Sequence, residues 1–242
     1  MGILLEIASV RTTYTKMDKR SKRYQQAEKL LEDKVYKLEE ALELVKKTST
    51  TKFDGSVELH IKLGIDPKQT DQNVRAAVTL PHGTGKKKRI AAFVTSVNEE
   101  VAKKAGADIV GGEQLIGEIK KTEKIDFDVA VAEPAMMKML APIAKILGTK
   151  GKMPSPKTGT VNADITRAIK EITGGRVEIK NDDSGNIHLS IGRASFEIEK
   201  LKENFLAATL ALKSARPKGA KQDFIKSVHL ASSMGPSVKV SV

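Results

Sequence analysis

The sequence predicts an α/β and α+β protein of two domains: a discontinuous α+β domain with a mainly antiparallel sheet, and an inserted three-layer α/β domain with a small parallel sheet. Three observations lead there. Apolar and polar residues alternate near both ends of the chain, as in half-buried antiparallel strands. In the middle, short continuous apolar runs alternate with helical spacing, as in a parallel sheet covered on both faces. The length, 242 residues, suits two ordinary cores better than one. On this reading residues 1–82 and 175–242 form the first domain and residues 83–174 the insert. The rival arrangement is three consecutive units in one domain.

Between positions 24 and 47, Leu30, Leu31, Val35, Leu38, Leu42 and Val45 recur at helical spacing among charges, which predicts one or two amphipathic helices. Lys16, Lys19, Arg20, Lys22 and Arg23 precede them against Asp18 alone, as either a solvated terminus or an arm for RNA phosphates. The period then drops to two. Phe53, Val57, Leu59, Ile61 and Leu63 share one face of a half-buried strand, and Ser56, Glu58, His60 and Lys62 the other. VRAAVTLP reads as a second extended piece and runs into PHGTGKKKR, whose spacing is not that of a phosphate loop. It reads instead as a hinge at Gly83 and a basic edge over 86–89.

From Ile90 the units are short: the strand IAAFV, a helix over 99–105 closed by Gly106, the strand DIVGG, a helix through Leu115 and Ile119, and the strand FDVAVA. Pro134 opens the next helix, where its missing N–H costs nothing. After the loop GTKGKMPSPKTGTV, a helix over 162–173 carries Ile165, Ile169 and Ile172 on one stripe and stops at Gly174 and Gly175. RVEIKND and NIHLSIG, with Ile187, Leu189 and Ile191 inward, read as a hairpin around Asp183, Ser184 and Gly185. A long helix follows, with Phe196, Leu201, Phe205, Leu206 and Leu210 on its apolar stripe. Pro217 ends it, and FIKSVHLASSMGPSVKVSV reads as a last strand, a turn and a short extension. Gly83, Gly174 and Gly175 stand at the two crossings between domains, where glycine can absorb large backbone rotations.

Composition narrows the function. Lys and Arg total 42 against 30 Asp and Glu, a net charge of +12 that draws the chain to polyanions, nucleic acid first among them. Cysteine is absent, which removes disulfides, thiolate metal sites and cysteine nucleophiles. No apolar run approaches the roughly 18 residues of a membrane span, and the N-terminus, with Glu6 and no basic leader, is not expected to be a signal peptide. Three of the four histidines, His60, His82, His188 and His229, fall on polar strand faces rather than beside an acid or nucleophile, and no zinc-ligand spacing occurs. No catalytic residue, metal or cofactor is therefore expected. Glu113, Asp126, Asp128 and Glu133 are read as a solvated face rather than an acid and base, and Met136, Met137 and Met139 as helix core and surface. Aromatics at 4%, with no Trp, argue against a base-stacking sheet and leave shape, 2′-hydroxyl and phosphate readout of RNA. A phosphate-dependent enzyme lacks its fingerprint here, and a DNA-binding regulator lacks a recognition helix.

The runs KFDGSVELHIKLGIDPKQTDQNVRAAVTLPHGTGK, AGADIVGG, ILGTKGKMPSPKTGTV and SSMGPSVKV follow one another at fixed separations. Through them the chain, from position 18 to its end, resembles the bacterial-type family of large-subunit ribosomal proteins that forms the mobile stalk beside the transfer-RNA exit site. The resemblance implies that the discontinuous domain binds a structured element of large-subunit ribosomal RNA. It implies that the insert helps the stalk move with the leaving exit-site transfer RNA, and that the protein represses its own messenger RNA, which imitates the ribosomal site. A monomer within a cytoplasmic or organellar ribosome, away from any membrane, follows from the same resemblance. Carried over by position, the RNA surface falls on Lys52, Phe53, Ser56, Glu58, Asp182, His188 and Ser195, and on the turn Ser232, Ser233, Met234, Gly235 and Pro236. Gly235 would let backbone approach RNA, Met234 would pack on ribose or base, and Glu58 and the hydroxyls would bond 2′-hydroxyls or phosphates. Phe53 serves equally well as plain core. Lys213, Arg216, Lys218, Lys221 and Lys226 flank the final strand with Asp223 opposing, and are expected to meet phosphates. The chain departs from the family at Thr149, Ser155 and Ser233, and residues 1–16 are additional to it, with Met17 an alternative start.

Overall fold

The structure is a computed structural model that describes residues 20–217, 219 and 223–241. In chain order its elements are α1 (Lys22–Glu28), α2 (Leu38–Thr48), β1 (Ser56–Leu63), β2 (Arg75–Thr79) and β3 (Ile90–Phe93). Then come α3 (Glu99–Ala105), β4 (Ile109–Gly111), α4 (Glu113–Thr122), β5 (Val129–Ala132), α5 (Ala144–Thr149) and α6 (Ile165–Thr173). The chain finishes with β6 (Arg176–Lys180), β7 (Asn186–Arg193), α7 (Ile198–Ser214), β8 (Ile225–Ser232) and β9 (Ser237–Val240).

Alternation builds the larger sheet, whose order is β7-β1-β8-β9 with every neighbour antiparallel. Val57, Leu59, Ile61 and Leu63 point to one face and are buried with Ile187, Leu189, Ile191, Val228, Leu230, Val238 and Val240 from the neighbouring strands. Helices α2 and α7 close that face with Leu42, Val45, Leu201, Phe205 and Leu212. Each such side chain, fully buried, contributes about 1.5–3 kcal/mol. In α2 the acids Glu39 and Glu40 sit in the first turn and Lys46 and Lys47 in the last, the arrangement a helix dipole favours. The other sheet face, which carries Glu58, His60, Lys62, His188, His229 and Lys239, is uncovered among the described residues.

The middle of the chain makes a separate parallel sheet in the order β4-β3-β5. β3 is buried throughout because its two faces meet two different layers. Ala91 and Phe93 pack with Ile116, Ile119, Phe127, Leu140, Ile143 and Leu147, while Ile90 and Ala92 pack with Ala102, Ile165, Ala168, Ile169 and Ile172. The fold class is thus the one the periodicity predicted, a mainly antiparallel sheet and a small parallel one.

Between the sheets the chain crosses twice, beside the antiparallel pair β2 and β6. Gly83 and Gly175 have φ of 61° and 101°, and a Cβ on Gly175 would lie 2.4 Å from the Gly83 Cα, so the crossings touch. Gly174 takes ordinary helical angles and closes α6 instead. Asn204 of α7, fully buried, fastens the first crossing: its Nδ2 donates to the carbonyls of Gly83 at 2.9 Å and Ile191 at 2.7 Å, and its Oδ1 accepts from the His82 N–H at 3.1 Å.

Several local expectations are corrected. β1 begins at Ser56, so Phe53 precedes the strand and is 58% exposed rather than facing the core. Ser56, expected on the polar face, is buried, because a bulge between Val57 and Glu58 against β7 interrupts the alternation. β6 and β7 do not form a hairpin; β6 pairs with β2 and β7 with β1, leaving a lone bridge from Asn181 to Ile187. The stripe of α7 runs through Leu201, Phe205, Ala208 and Leu212, spacing that turns Leu206 and Leu210 to solvent. After Pro134 the chain makes the 3-10 turns Pro134–Met137 and Ala141–Ile143 before α5, since Pro142 has no N–H for a continuous helix. Leu30 and Val35 are exposed between two separate helices, and Glu133 is buried rather than solvated, accepting from the Thr95 N–H and the Asn98 amide. The basic positions Lys16, Lys19, Lys218 and Lys221, together with Asp18, residues 1–16 and Met17, lie outside the described residues.

Truncating Asn204 to Ala removes three hydrogen bonds and leaves the buried Ile191 carbonyl and two half-buried backbone groups without that partner. We predict a loss of about 2–4 kcal/mol in denaturant unfolding, the range for breaking a buried polar network; a loss below about 0.5 kcal/mol would contradict the clamp.

Candidate nucleic-acid interface

Segments far apart in the chain meet at one end of the four-stranded sheet: the loop before β1, the residues after β7, and the turn between β8 and β9. The loop is tied down by Asp54. Its carboxylate accepts from the Ser195 N–H at 3.0 Å and the Ser195 hydroxyl at 2.8 Å, and its carbonyl accepts from the Arg193 guanidinium at 2.8 Å. The Ala194 N–H donates to the Gly55 carbonyl at 2.8 Å. Ser233 joins the turn to the same place, since its N–H donates to the Ser56 carbonyl at 2.9 Å and its hydroxyl accepts from the Ser56 N–H at 3.1 Å.

The turn itself is strained. The Gly235 N–H donates to the Ser232 carbonyl at 2.9 Å, closing four residues whose third, Met234, sits at φ 62°. That conformation favours glycine and costs a methionine about 1–2 kcal/mol. The side chain gains nothing from the core in return, being 70% exposed. Strained backbone conformations of this kind cluster at ligand-binding sites. Gly235 packs tightly for a different reason, because a Cβ there would lie 2.2 Å from the Ser232 hydroxyl oxygen, which would have to rotate away.

The proposed contact residues divide by exposure. Lys52, Phe53, Ser195 and Met234 are exposed, and Glu58, Ser233 and Gly235 are half-buried. Ser56, Ser232 and Pro236 are buried and shape the platform from beneath. Asp182 and His188 are not in this cluster. His188 pairs with His60 at mid-strand, and Asp182 lies in the turn beyond Lys62 and Asn186, toward the far end of β1. Seven steps of about 3.3 Å separate the ends of that strand, roughly 23 Å. Asp182 organises its own turn, where its carboxylate accepts from the N–H groups of Asn186 at 2.7 Å and Ser184 at 2.9 Å. Those bonds, the Asn186 N–H foremost, hold its pKa down at about 2.

Sequence reasoning missed Asp54 and Arg193, whose roles depend on pairing across more than a hundred residues, and it missed His60 and His229 as neighbours of His188. Alternation had put His60 on the open face; strand register, which no spacing reveals, supplies the neighbours. Asp128 accepts from the Arg89 N–H, Glu133 is engaged as above, and no group of three metal-binding side chains occurs among the described residues. Met136 is core and Met139 exposed. No described helix is long and apolar enough to cross a membrane.

Residues 45–236 match the ribosomal protein L1p/L10e family. The chain is 48% identical over 227 residues to the large ribosomal subunit protein uL1 of Fervidobacterium nodosum, covering 93% of this chain and 97% of that protein. It is 50% identical over 225 residues to the protein of the same name from Mycoplasma capricolum, covering 93% and 99%. The Thermosipho africanus protein of that name is 48% identical over 225 residues.

The depressed pKa of Asp182 has a definite consequence for acid stability. Its carboxylate is stabilised in the fold, so its contribution is complete above the ordinary value of 3.8 and is lost as pH falls from there through about 2. Carbon-detected NMR titration of the side-chain carboxyl should give a midpoint near 2. A midpoint at the ordinary carboxylate value would contradict the hydrogen bonds described.

Proposed function

The chain belongs to the ribosomal protein L1p/L10e family, structural and without catalysis, and on that premise we propose that it is built into the large ribosomal subunit by gripping structured ribosomal RNA with one end of its antiparallel sheet. The observation that carries this reading is the convergence of the 51–56, 193–195 and 232–236 segments around an exposed Met234 held at positive φ. Phosphates, 2′-hydroxyls and the flat faces of ribose and base need a rigid, mixed surface of that kind. Lys52 supplies charge, Phe53 and Met234 supply apolar contact, and Ser195, Ser233 and Glu58 supply hydrogen bonds. The buried Ser56, Ser232 and Pro236 hold the backbone in place, and Gly235 lets RNA approach it. The hydroxyl of Ser232 is buried without a partner in the protein. The net charge of +12 gives long-range attraction, to which Lys213, Arg216 and Lys226 contribute near the last strands.

The same reading places the chain on cytoplasmic ribosomes as a monomer of the stalk. Residues 1–82 with 175–242 act as the RNA-bound domain, and residues 83–174 as the projecting insert that follows exit-site transfer RNA. Gly83 and Gly175, already at positive φ, absorb the rotation, with Gly174 at the end of α6 beside them. A messenger RNA that reproduces the ribosomal element would occupy the same grip, which is how the protein would repress its own translation.

The test is Met234→Asp in the full chain. It sets a carboxylate where close RNA packing is proposed, so binding to large-subunit ribosomal RNA should weaken by at least about 2 kcal/mol, the cost of a buried unpaired group. Circular dichroism and thermal unfolding should stay as in the parent, because the side chain is exposed. A folded variant that binds at full strength at moderate salt sinks the reading.

A further inference from the structure

The register of the large sheet lays His188, His60 and His229 side by side on its open face, and Lys239 completes the row. Directly opposed residues of antiparallel strands have Cα atoms about 4.5–5.5 Å apart, so the row is continuous. Nδ1 of His60 and Nδ1 of His188 approach to 2.8 Å, with the rings edge-on and their centroids 5.0 Å apart. A contact of that length holds one proton between the two nitrogens. In the neutral pair, one imidazole donates through Nδ1 and its outward Nε2 is bare, while the other carries its hydrogen on Nε2. One added proton changes this. Both Nε2 atoms then carry hydrogen and the pair bears a single positive charge; a second proton would set two N–H groups against each other and break the contact.

The surroundings make that proton count. Facing the pair are Glu58 and Lys62 from β1, Asp182 from the turn before β7, His229 from β8 and Lys239 from β9, while α2 and α7 pack on the opposite face. Nε2 of His60 lies 3.7 Å from the Glu58 carboxylate, and Nε2 of His188 lies 3.5 Å from that of Asp182. These carboxylates and lysines balance, two against two, so the face is near neutral until histidine takes a proton. Burial first, and then the charge of His188, hold the pKa of His60 below its ordinary value. Burial and then Lys239 do the same to His229. Both are mainly neutral near pH 7 in the free protein, and an anion laid on the face would draw protons in.

We propose that the His60–His188 pair, with His229 and Lys239 beside it, is a phosphate-binding row that extends the RNA grip across the middle of the sheet and takes up a proton as RNA binds. This rests on the RNA-binding reading above and adds His60, His229 and Lys239 to it, together with a coupling to pH. The bound state holds more protons than the free state, so affinity must rise as pH falls, and the slope of log affinity against pH measures the uptake.

Affinity of the full chain for transcribed large-subunit ribosomal RNA should be measured at fixed salt between about pH 5.5 and 8, where histidine titrates. The parent should weaken about five- to tenfold across that range as pH rises, and His60→Gln, which leaves no ionisable pair, by no more than about twofold. Calorimetric titration of the parent in two buffers of different ionisation heat counts the protons without any variant, and about a third to a half of a proton should be taken up near pH 6.5. Tight binding with no pH slope and no proton uptake overturns the row while leaving the RNA grip in place. A slope kept undiminished in folded His60→Gln also overturns it. Failure to bind RNA at every pH overturns the functional reading, and this inference with it.

Discussion

The candidate surface hangs on the register of β1 between β7 and β8, which pairs a strand from the first part of the chain with two from the last. That pairing buries Val57, Leu59, Ile61 and Leu63 under α2 and α7 on one face. Because helices cover only that face, the polar residues between them are left in water in fixed rows. The same register brings the 51–56 loop against 193–195 and 232–236 at the sheet's end, where no single segment could form a surface. A slip by one residue would exchange the two faces and dissolve both the core and the surface.

Much of this is legible in the amino-acid sequence alone. The changes of period near positions 53 and 90 announce the antiparallel and parallel sheets, whose first strands begin at Ser56 and Ile90, because side-chain period follows directly from backbone geometry. The parallel sheet is legible from IAAFV and FDVAVA, where continuous apolar character means two covered faces. What periodicity cannot reach is pairing. RVEIKND and NIHLSIG look like a hairpin, yet β6 joins β2 near the crossings, and Asp182 organises the turn between two different sheets. Phe53 fits the alternation of β1 by arithmetic, but Gly55 and the bulge after Val57 displace the loop from the strand, and the ring ends in solvent. Leu206 and Leu210 fail for a simpler reason: a helix lying on a flat sheet buries one narrow stripe, and a residue next to that stripe faces outward.

The candidate surface is legible in part. Motif resemblance points to the SSMGP turn, and the structure gives physical content to each of its residues: a clash-free glycine, a methionine held at positive φ, buried flanking residues beneath. Exposure, which a motif does not encode, separates side chains available to a ligand from those that only shape the backbone. Hydrogen bonding does similar work at the crossings, where Asn204 fixes His82 and Gly83 to α7 and so limits where rotation can occur. Acidic residues that a search for catalysis would notice, Glu133 and Asp128, are consumed by backbone N–H groups.

The central claim is that RNA is held at the end of the antiparallel sheet and not by the parallel-sheet part. Amide chemical-shift mapping of the full chain on addition of a ribosomal RNA fragment that it protects tests this most directly. The account requires the largest changes at 51–58, 193–195 and 232–236, with residues 90–172 nearly unmoved. Changes concentrated over β3, β4 and β5, with the Met234 turn silent, would contradict it.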